Sequence, residues 1–381
     1  MAALQKPVSI VGAGLGGLTL ARLLKKQGIP AVLYERNRAS PRNNYGITLH
    51  SASYHPLLEQ LGIEEKVFKA SVAVDGDIGG AGFIDPTLLA YPRALKPGSF
   101  RANRRKLERL LQEGLDIEWA HQIEQVGIDS VGRPSFFQIS QQPHEQEIII
   151  GADGIHSSIR SATITDCRPQ ILPFVAFNGR KTVLRETFEQ LYAPEMKNSN
   201  MIEIWHNGAL LHVSVVESSP TEVRISWIYS RTAHGTTDPC FRPDRQLSEA
   251  TAIPSEFYEE ISKLSSLPSP FEDVFDATRI RQERVLSWLM RTTSISPQHL
   301  HEIAEQGIVM LGDSVRAQPI LGGEGANAAI IDAIELARCI SNNGSQSVKQ
   351  WYTARYSAWQ ESKRASEHAI EQMHKGPKPS L

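Results

Sequence analysis

The chain opens on short apolar runs separated by an amphipathic segment. Pro7–Gly12 (PVSIVG) is β-branched and ends in glycine, which predicts a buried strand. GLTLARLLKKQG carries apolar residues at helical spacing and stops at Gly28, a natural place for a helix to end. Pro30–Arg36 predicts a second buried strand, so the three form a βαβ unit of about thirty residues. Helices are expected over Tyr54–Phe68 and, more clearly amphipathic, over Asn103–Leu115. Glu147–Gly154 reads as another strand ending in a glycine turn.

The middle of the chain changes period. MIEIWHNGALLHVSVVE and EVRISWIYS alternate like antiparallel strands joined by hairpins. Helical pieces follow around Ser255–Leu264 and Phe271–Ala277; strand–loop–helix character returns at Gly307–Ser314, and Ala328–Ser341 and Ser347–His374 are helical. The terminal HKGPKPSL reads as a frayed tail. The succession α/β, β-rich, α/β predicts an α/β fold: a Rossmann-like nucleotide-binding domain interrupted by an inserted, mainly antiparallel sheet domain, with C-terminal helices. The boundaries are placed at 1–170 with 295–345 for the first domain, 171–294 for the insert and 346–381 for the last helix and tail.

Composition narrows the class. With 381 residues, 41% hydrophobic and 22% charged, the chain is long enough for two packed lobes. A formal net charge of -2 gives no reason to expect a nucleic-acid partner. Cys167, Cys240 and Cys339 are far apart and odd in number, against a disulfide framework or a zinc site. No signal-peptide pattern and no apolar run of roughly 18 residues is seen, so a cytoplasmic protein without a membrane span is expected. The twelve histidines are scattered, with no HExxH, so no metal centre is expected.

Two glycine-rich stretches carry the candidate chemistry. In the first, Gly12, Gly14 and Gly17 match GxGxxG between a strand and a helix. The first glycine permits a tight turn, the second lets a pyrophosphate approach the backbone, and the third lets helix and strand pack closely. The helix start presents unpaired N–H groups to the phosphate. Glu35 ends the second strand, near the spacing at which an acid takes ribose hydroxyls. A structural turn with an exposed Glu35 is the alternative, and this loop does not separate NAD from FAD. The second stretch, LGDSVRAQPILGGEGAN (Leu311–Asn327), places Gly312-Asp313 at a strand end and GGEGAN at a helix start. Backbone N–H groups there suit a carbonyl-rich ring edge, and an Asp accepts from sugar-alcohol hydroxyls.

With both loops in view, the chain resembles the group A flavin-dependent monooxygenases, the aromatic hydroxylases that include para-hydroxybenzoate and salicylate hydroxylases. The likeness covers nearly the whole chain and rests on three motifs in the family's order: GAGLGGLTLARLL with Glu35, IIIGADGIHSSIR (Ile148–Arg160), and LGDSVRAQPILGGEGANAAIIDAIELA. It implies that both loops grip a single FAD, the first its ADP half and the last its flavin half, with no dedicated nicotinamide domain. It implies cofactor-binding roles for Gly12, Gly14, Gly17, Glu35, Arg36, Gly46, Arg104, Asp153, Asp313, Gly323, Gly325, Ala326 and Asn327. Within that set Glu35 takes the adenosine ribose, Gly46 lies by the flavin, and Arg104 holds the FAD-contacting position (or is a surface arginine among Arg101, Arg105 and Arg109). Asp313 holds the ribityl or pyrophosphate region, while Asp153 is more a turn organiser than a direct ligand. The late motif departs from the family's Gly-Asp-Ala-Ala-His, Pro-Pro and Gly-Gln-Gly: here Ser314, Val315 and Arg316 follow Asp313, Ile320 follows Pro319, and Glu324 lies between glycines. An Arg316–Glu324 ion pair is expected, the alternative being that Arg316 steadies an anionic reduced flavin or substrate.

By the same resemblance NADPH or NADH reduces the flavin, O2 adds at C4a, and the distal oxygen passes to an electron-rich ring or alkene of a small aromatic or polycyclic substrate. The protein's share is to exclude water and orient the acceptor, so no catalytic triad is expected. The β-rich insert is expected to floor the pocket, with Phe177, Trp205, Trp227 and Tyr229 as candidate lining or plain core, and Arg180, His206 or Tyr229 as candidate activators of a phenol or anchors of a carbonyl. Secondary-metabolite biosynthesis, catabolism and antibiotic inactivation are all compatible settings. Baeyer–Villiger or non-redox flavin chemistry and a non-enzymatic flavin module are the rival readings. A monomer or homodimer is expected.

Overall fold

The computed structural model describes residues 7–39, 44–91, 96–128, 134–138, 144–145, 148–164, 166–343 and 347–376. The opening apolar runs form the expected unit: β1 (Val8–Val11), buried at every position, leads into α1 (Leu15–Lys26), and β2 (Ala31–Glu35) returns parallel to β1. β3 (Gly46–Leu49) and β4 (Phe100–Asn103) pair antiparallel. α2 (Arg104–Gln112) begins directly after β4, where the Asn103 side chain accepts from the Lys106 N–H at 3.0 Å and caps it. β5 (Ile117–Trp119) joins the parallel sheet. β6 (Ile123–Ile128), β7 (Pro134–Gln138) and β8 (His144–Glu145) make a small sheet of their own. β9 (Ile149–Gly151) and α3 (Ser158–Thr163) follow; Glu147 of the expected strand lies outside the described residues.

The alternating middle forms β10 (Gln170–Leu184), β11 (Met201–His206), β12 (Ala209–Ser218), β13 (Glu222–Thr232) and β14 (Leu286–Thr292). They build one antiparallel sheet in the order β11-β12-β13-β10-β14. β15 (Ile308–Met310), α4 (Gly325–Asn343) and α5 (Val348–His374) close the chain.

The parallel sheet runs β15-β9-β1-β2-β5. Its register aligns Val11 with Gly151 and Gly151 with Met310. The loops that leave β1, β9 and β15 therefore emerge side by side at one edge, though they come from opposite ends of the chain. The carboxyl edge of such a sheet is where ligands of open α/β folds sit. An apolar core surrounds this sheet, and a second fills the back of the antiparallel one.

Three expectations change. Tyr54–Phe68 is not one helix but parts of two, Ser51–Leu61 and Glu65–Val72, because Gly62 at φ 70 takes the left-handed conformation that ends the first. The Phe271–Ala277 piece divides at Asp276, whose carboxylate accepts from the Thr278 and Arg279 N–H groups and starts a new turn. The terminal segment is anchored at its start. His374 is buried with Nε2 2.8 Å from Ser230 Oγ, and Gly376 lies so close to Trp205 that a Cβ would sit 2.8 Å from the indole. Residues 377–381 lie outside the described residues.

Candidate active site

A single cleft of ≈ 1530 Å³, counting its open mouth, lies between the two sheets. Gly14, Leu15 and Gly16 border it from the first glycine loop; Gly312, Asp313, Gly323, Gly325 and Ala326 border it from the last. Tyr45, Gly46, Arg101 and Arg104 close one side, and Ala152 and Gly154 line it from the Asp-Gly turn.

The glycines of the first loop have distinct jobs. Gly12, at φ +107, leaves no room for a side chain: a Cβ would stand 2.5 Å from the Ala152 carbonyl oxygen. A Cβ on Gly17 would strike the Gly12 carbonyl, so this glycine serves loop-to-helix packing. At Gly14 the nearest neighbour of a Cβ is 4.0 Å away, and the open space is the cleft itself. α1 has no side-chain cap and no acid in its first turn, which leaves its N-terminal field for an anion. Gly16, which the motif does not require to be glycine, admits Leu311 of the late loop, whose Cδ1 would be 2.5 Å from a Cβ there.

Glu35 is buried against the loop. Its carboxylate accepts from the Ala13 N–H at 2.9 Å and from the backbone and side-chain N–H of Asn37 at 3.0 and 2.7 Å. Arg36 is exposed and outside the cleft lining. Asp153 organises its turn, accepting from Ser158 N–H at 2.7 Å and Oγ at 3.0 Å, and from Ile159 N–H at 3.3 Å. Arg160, from the same motif, was not anticipated: its buried guanidinium donates to the Ser314 carbonyl at 2.9 Å and the Ile155 carbonyl at 2.6 Å, bracing the second motif against the third. Ser314, which departs from the family's Ala, donates to the Gly151 or Leu311 carbonyl at 2.6 and 2.7 Å and ties the late loop to β9.

Asp313 faces the cleft, and burial pushes its carboxyl above the usual carboxylate range while Arg316 and Arg104 oppose the rise. Arg104 stacks its guanidinium 5.0 Å from the Tyr45 ring centre, bonds the Tyr45 hydroxyl, and donates from Nε to Glu108 at 2.8 Å. Asn327 is a brace. Its Oδ1 accepts from His50 N–H at 2.8 Å and Ser53 Oγ at 2.7 Å, and its Nδ2 donates to the Thr48 carbonyl at 2.9 Å.

The expected Arg316–Glu324 pair does not form. Arg316 turns toward α4 and meets Asp332 at 3.4 Å, with its guanidinium 5.8 Å from the Trp359 ring centre. Glu324, at the helix start, meets His50 at 3.3 Å and Lys96 at 3.6 Å. Burial pushes the Glu324 carboxyl up, but these two partners outweigh it and hold it low. Both residues line a smaller separate cavity, so Arg316 does not reach the main cleft.

The antiparallel sheet supplies the floor by alternation. Met201, Glu203, Leu210, His212, Ser214, Ser226, Ile228 and Trp288 face the cleft, and Met373 of α5 joins them. The aromatic candidates of the sequence stand elsewhere. Phe177, Trp227 and Tyr229 are buried on the opposite face; Trp227 Nε1 donates to Glu283 at 3.0 Å and Tyr229 OH to Glu260 at 2.7 Å. Trp205 lies under Gly376, Arg180 is exposed, and His206 sits at the hairpin end of β11, outside the cleft lining. Glu203, His212 and Arg101 are the polar groups that the sequence reading missed. The His212 Nδ1 lies 3.0 Å from Glu203 Oε1 with both side chains buried. Arg101 donates to Thr48 Oγ1 and Ser214 Oγ, each at 3.3 Å. Among the described residues no cluster of His, Cys, Asp and Glu suits a metal, and no helix is long and apolar enough to cross a membrane.

The chain is similar to known proteins. A family model described as "FAD binding domain" matches residues 5–371. The FAD-dependent monooxygenase adaC of Aspergillus niger is 31% identical, the alignment covering 97% of this chain and 94% of that protein. The FAD-dependent monooxygenase nscC of Neosartorya fischeri is 32% identical, over 88% of this chain and 86% of its own. The solved structure of 2,6-dihydroxypyridine-3-hydroxylase from Arthrobacter nicotinovorans superposes with a TM-score of 0.71 at 16% identity, covering 99% of this chain and 95% of the other, and so shares the fold. The open glycine at a helix start, the Asp313 carboxylate in the cleft and these matches agree: the chain belongs to the FAD-binding family of flavin-dependent monooxygenases and is an oxidoreductase.

Proposed function

We propose that this enzyme consumes NADPH or NADH and places one oxygen atom of O2 on a small aromatic or polycyclic substrate, by hydroxylation or epoxidation. The observation that carries this reading is the single cleft, bounded by both glycine loops at one end and by the sheet floor at the other. FAD fits the donors present. Its pyrophosphate is assigned to the N–H groups around Gly12, Gly14 and Gly17, and its ribose to the Glu35 strand end. The ribityl hydroxyls are assigned to Asp313, and the ring edge to Gly323, Gly325 and Ala326 beside Gly46 and Arg104. Asn327 supports the site by holding β3 against the start of α4.

Bound FAD supplies the redox chemistry with O2. The chain's own residues exclude water and orient the acceptor carbon. Met201, Leu210, Ile228, Trp288 and Met373 give the cleft an apolar wall for a flat ring system. Support for a phosphate-bearing reductant comes from the surface beside the Asp153 turn. Arg36, Arg160, Arg245 and Arg291 all act on His156 there, a concentration of positive charge. The assigned setting is secondary-metabolite biosynthesis, on the likeness to the fungal monooxygenases adaC and nscC.

The test is direct. The purified protein is expected to hold one FAD per chain, to be bleached by NADPH or NADH without oxygen, and to transfer label from ¹⁸O2 into an aromatic product. FAD that neither nicotinamide reduces, or product without label, contradicts the reading.

A further inference from the structure

We propose that the smaller cavity behind the start of α4 binds a small oxyanion, a phosphate or a short carboxylate, with Arg316 as its principal ligand. The cavity measures ≈ 560 Å³, counting its open mouth, and lies apart from the flavin cleft. Ala326 and Ala329 of α4 border the cleft, whereas Ala328 and Ile331, on another side of the helix, border this cavity. The site does not depend on which reaction the cleft performs.

Arg316 is short of acceptors. It is 4% exposed, yet its guanidinium makes one hydrogen bond, from Nη2 to Asp332 Oδ2 at 3.4 Å. Its Nε is buried with no acceptor, and among the described residues none meets Nη1. Asp332 is already committed elsewhere. Fully buried, it accepts at Oδ1 from Arg355 Nη2 at 2.9 Å, Arg355 Nε at 3.2 Å and Trp359 Nε1 at 2.8 Å. Arg160 gives the contrast: buried as deeply, it places both of its Nη groups on backbone carbonyls. A buried guanidinium left short of acceptors costs free energy that a bound acceptor recovers.

The lining favours an anion over water. Lys96, Arg316 and Arg355 are its cations and Glu324 is its one carboxylate. Glu324 is taken up by His50 at 3.3 Å and Lys96 at 3.6 Å. Glu335 meets Arg355 at 3.2 Å, and Asp313 feels Arg316 from the cleft side, but neither borders the cavity. Ser362 lies seven residues beyond Arg355 on the same face of α5. It accepts from Gln318 Nε2 at 2.7 Å, which leaves its own O–H to donate into the cavity it borders. A water would accept from Arg316 but bring no charge. An oxyanion brings both, and the planar fork of a guanidinium matches two oxygens of a carboxylate or phosphate.

The experiment titrates FAD-loaded protein by calorimetry with inorganic phosphate and, separately, with acetate, at an ionic strength held constant with chloride. Loading with FAD keeps the first glycine loop from competing for the probe. Wild-type protein is expected to bind one probe ion per chain saturably, each probe displacing the other. Tighter phosphate assigns the site to phosphate-bearing ligands and tighter acetate to carboxylates; either supports it. Arg316→Gln is expected to weaken binding about tenfold. Arg316→Lys, which keeps the charge but not the fork, is expected to weaken it less. Lys96→Gln, at an exposed position, is expected to weaken it about threefold and decides the matter should the Arg316 variants not fold. No saturable binding by wild type overturns the proposal. So does binding that Arg316→Gln, or in its stead Lys96→Gln, leaves unchanged, since the ion would then sit elsewhere, as at the arginines around His156.

Discussion

The two faces of the antiparallel sheet share every strand yet differ in chemistry. On the back, Phe177, Trp227, Tyr229 and Phe257 interlock; the Phe177 and Phe257 ring centres are 4.1 Å apart. The polar groups at the edge of that core are fully engaged with one another: Arg231 meets Asp238 at 2.5 Å and Glu260 at 2.6 Å. On the front, residues one step along each strand line a cleft, and their polar groups border that open space as well as one another. Shape is dictated by what packs and function by what is kept from packing, and the same division runs through the glycines of the first loop.

The comparison is broken most forcefully from the back. Arg231→Ala leaves the buried Asp238 and the half-buried Glu260 carboxylates without their cation and is expected to cost about 3 kcal/mol of stability, read as a lowered denaturant midpoint, with FAD affinity unchanged. Burial raises the Asp238 and Glu260 carboxyls, but their bonds to Arg231 outweigh it and hold both low. Their contribution is therefore present above the ordinary carboxylate range and is lost as pH falls through the folded-state values, so the stability gap between wild type and Arg231→Ala is expected to narrow in acid. Affinity loss in a variant of normal shape would remove the division between the faces.

A paired test follows at the loop. Gly17→Ala forces a Cβ against the Gly12 carbonyl and is expected to cost about 1–3 kcal/mol in apo-protein stability. Gly14→Ala meets only open cleft. It is expected to leave apo-protein stability within about 0.5 kcal/mol and to weaken FAD about tenfold, roughly 1.4 kcal/mol. Thermal melts and FAD titration separate them, and equal stability loss in both would blur the distinction between a packing glycine and a ligand-facing one.

On the front, Trp288→Ala is expected to raise the substrate KM roughly tenfold, because its ring borders the cleft, with some loss of stability because the ring also packs against the cluster of Phe174, Leu210 and Met290. The smallest effect belongs to Asp313. Its carboxyl is raised by burial, so its contribution to apo-protein stability is present below the ordinary carboxylate range and is lost as pH rises through the folded-state value. Asp313→Asn is expected to remove that loss. Apo-protein melts should show the variant slightly more stable than wild type at neutral pH, with the gain absent in acid, while FAD binds more weakly.

The glycine loops were legible because a glycine at a fixed spacing encodes a close approach, and the approach is there: Gly12 against Ala152, Gly17 against Gly12. The change of period also announced the two sheets. The sheet floor was not legible by the same means. Alternation tells which residues share a face but not which face meets the ligand; of the two readings open for Phe177, Trp227 and Tyr229, lining or plain core, the structure shows core. Gly179, directly across from Trp227, was the overlooked hint: only a glycine there leaves room for the indole. The Asn207-Gly208 turn was another, since a two-residue turn at that point sets Glu203 opposite His212. The Arg316–Glu324 expectation failed because sequence nearness in a loop says little about direction; Asp332, one face of α4 away, claimed the arginine.

The most direct measurement is a crystal structure of the FAD-loaded protein. The account predicts one FAD per chain, its pyrophosphate within hydrogen-bonding distance of the first turn of α1, and its ring edge at Gly323, Gly325 and Ala326, facing the strand pair that carries Glu203 and His212. A cofactor held at one glycine loop with its ring directed away from the other, or a separate molecule at each, would contradict it.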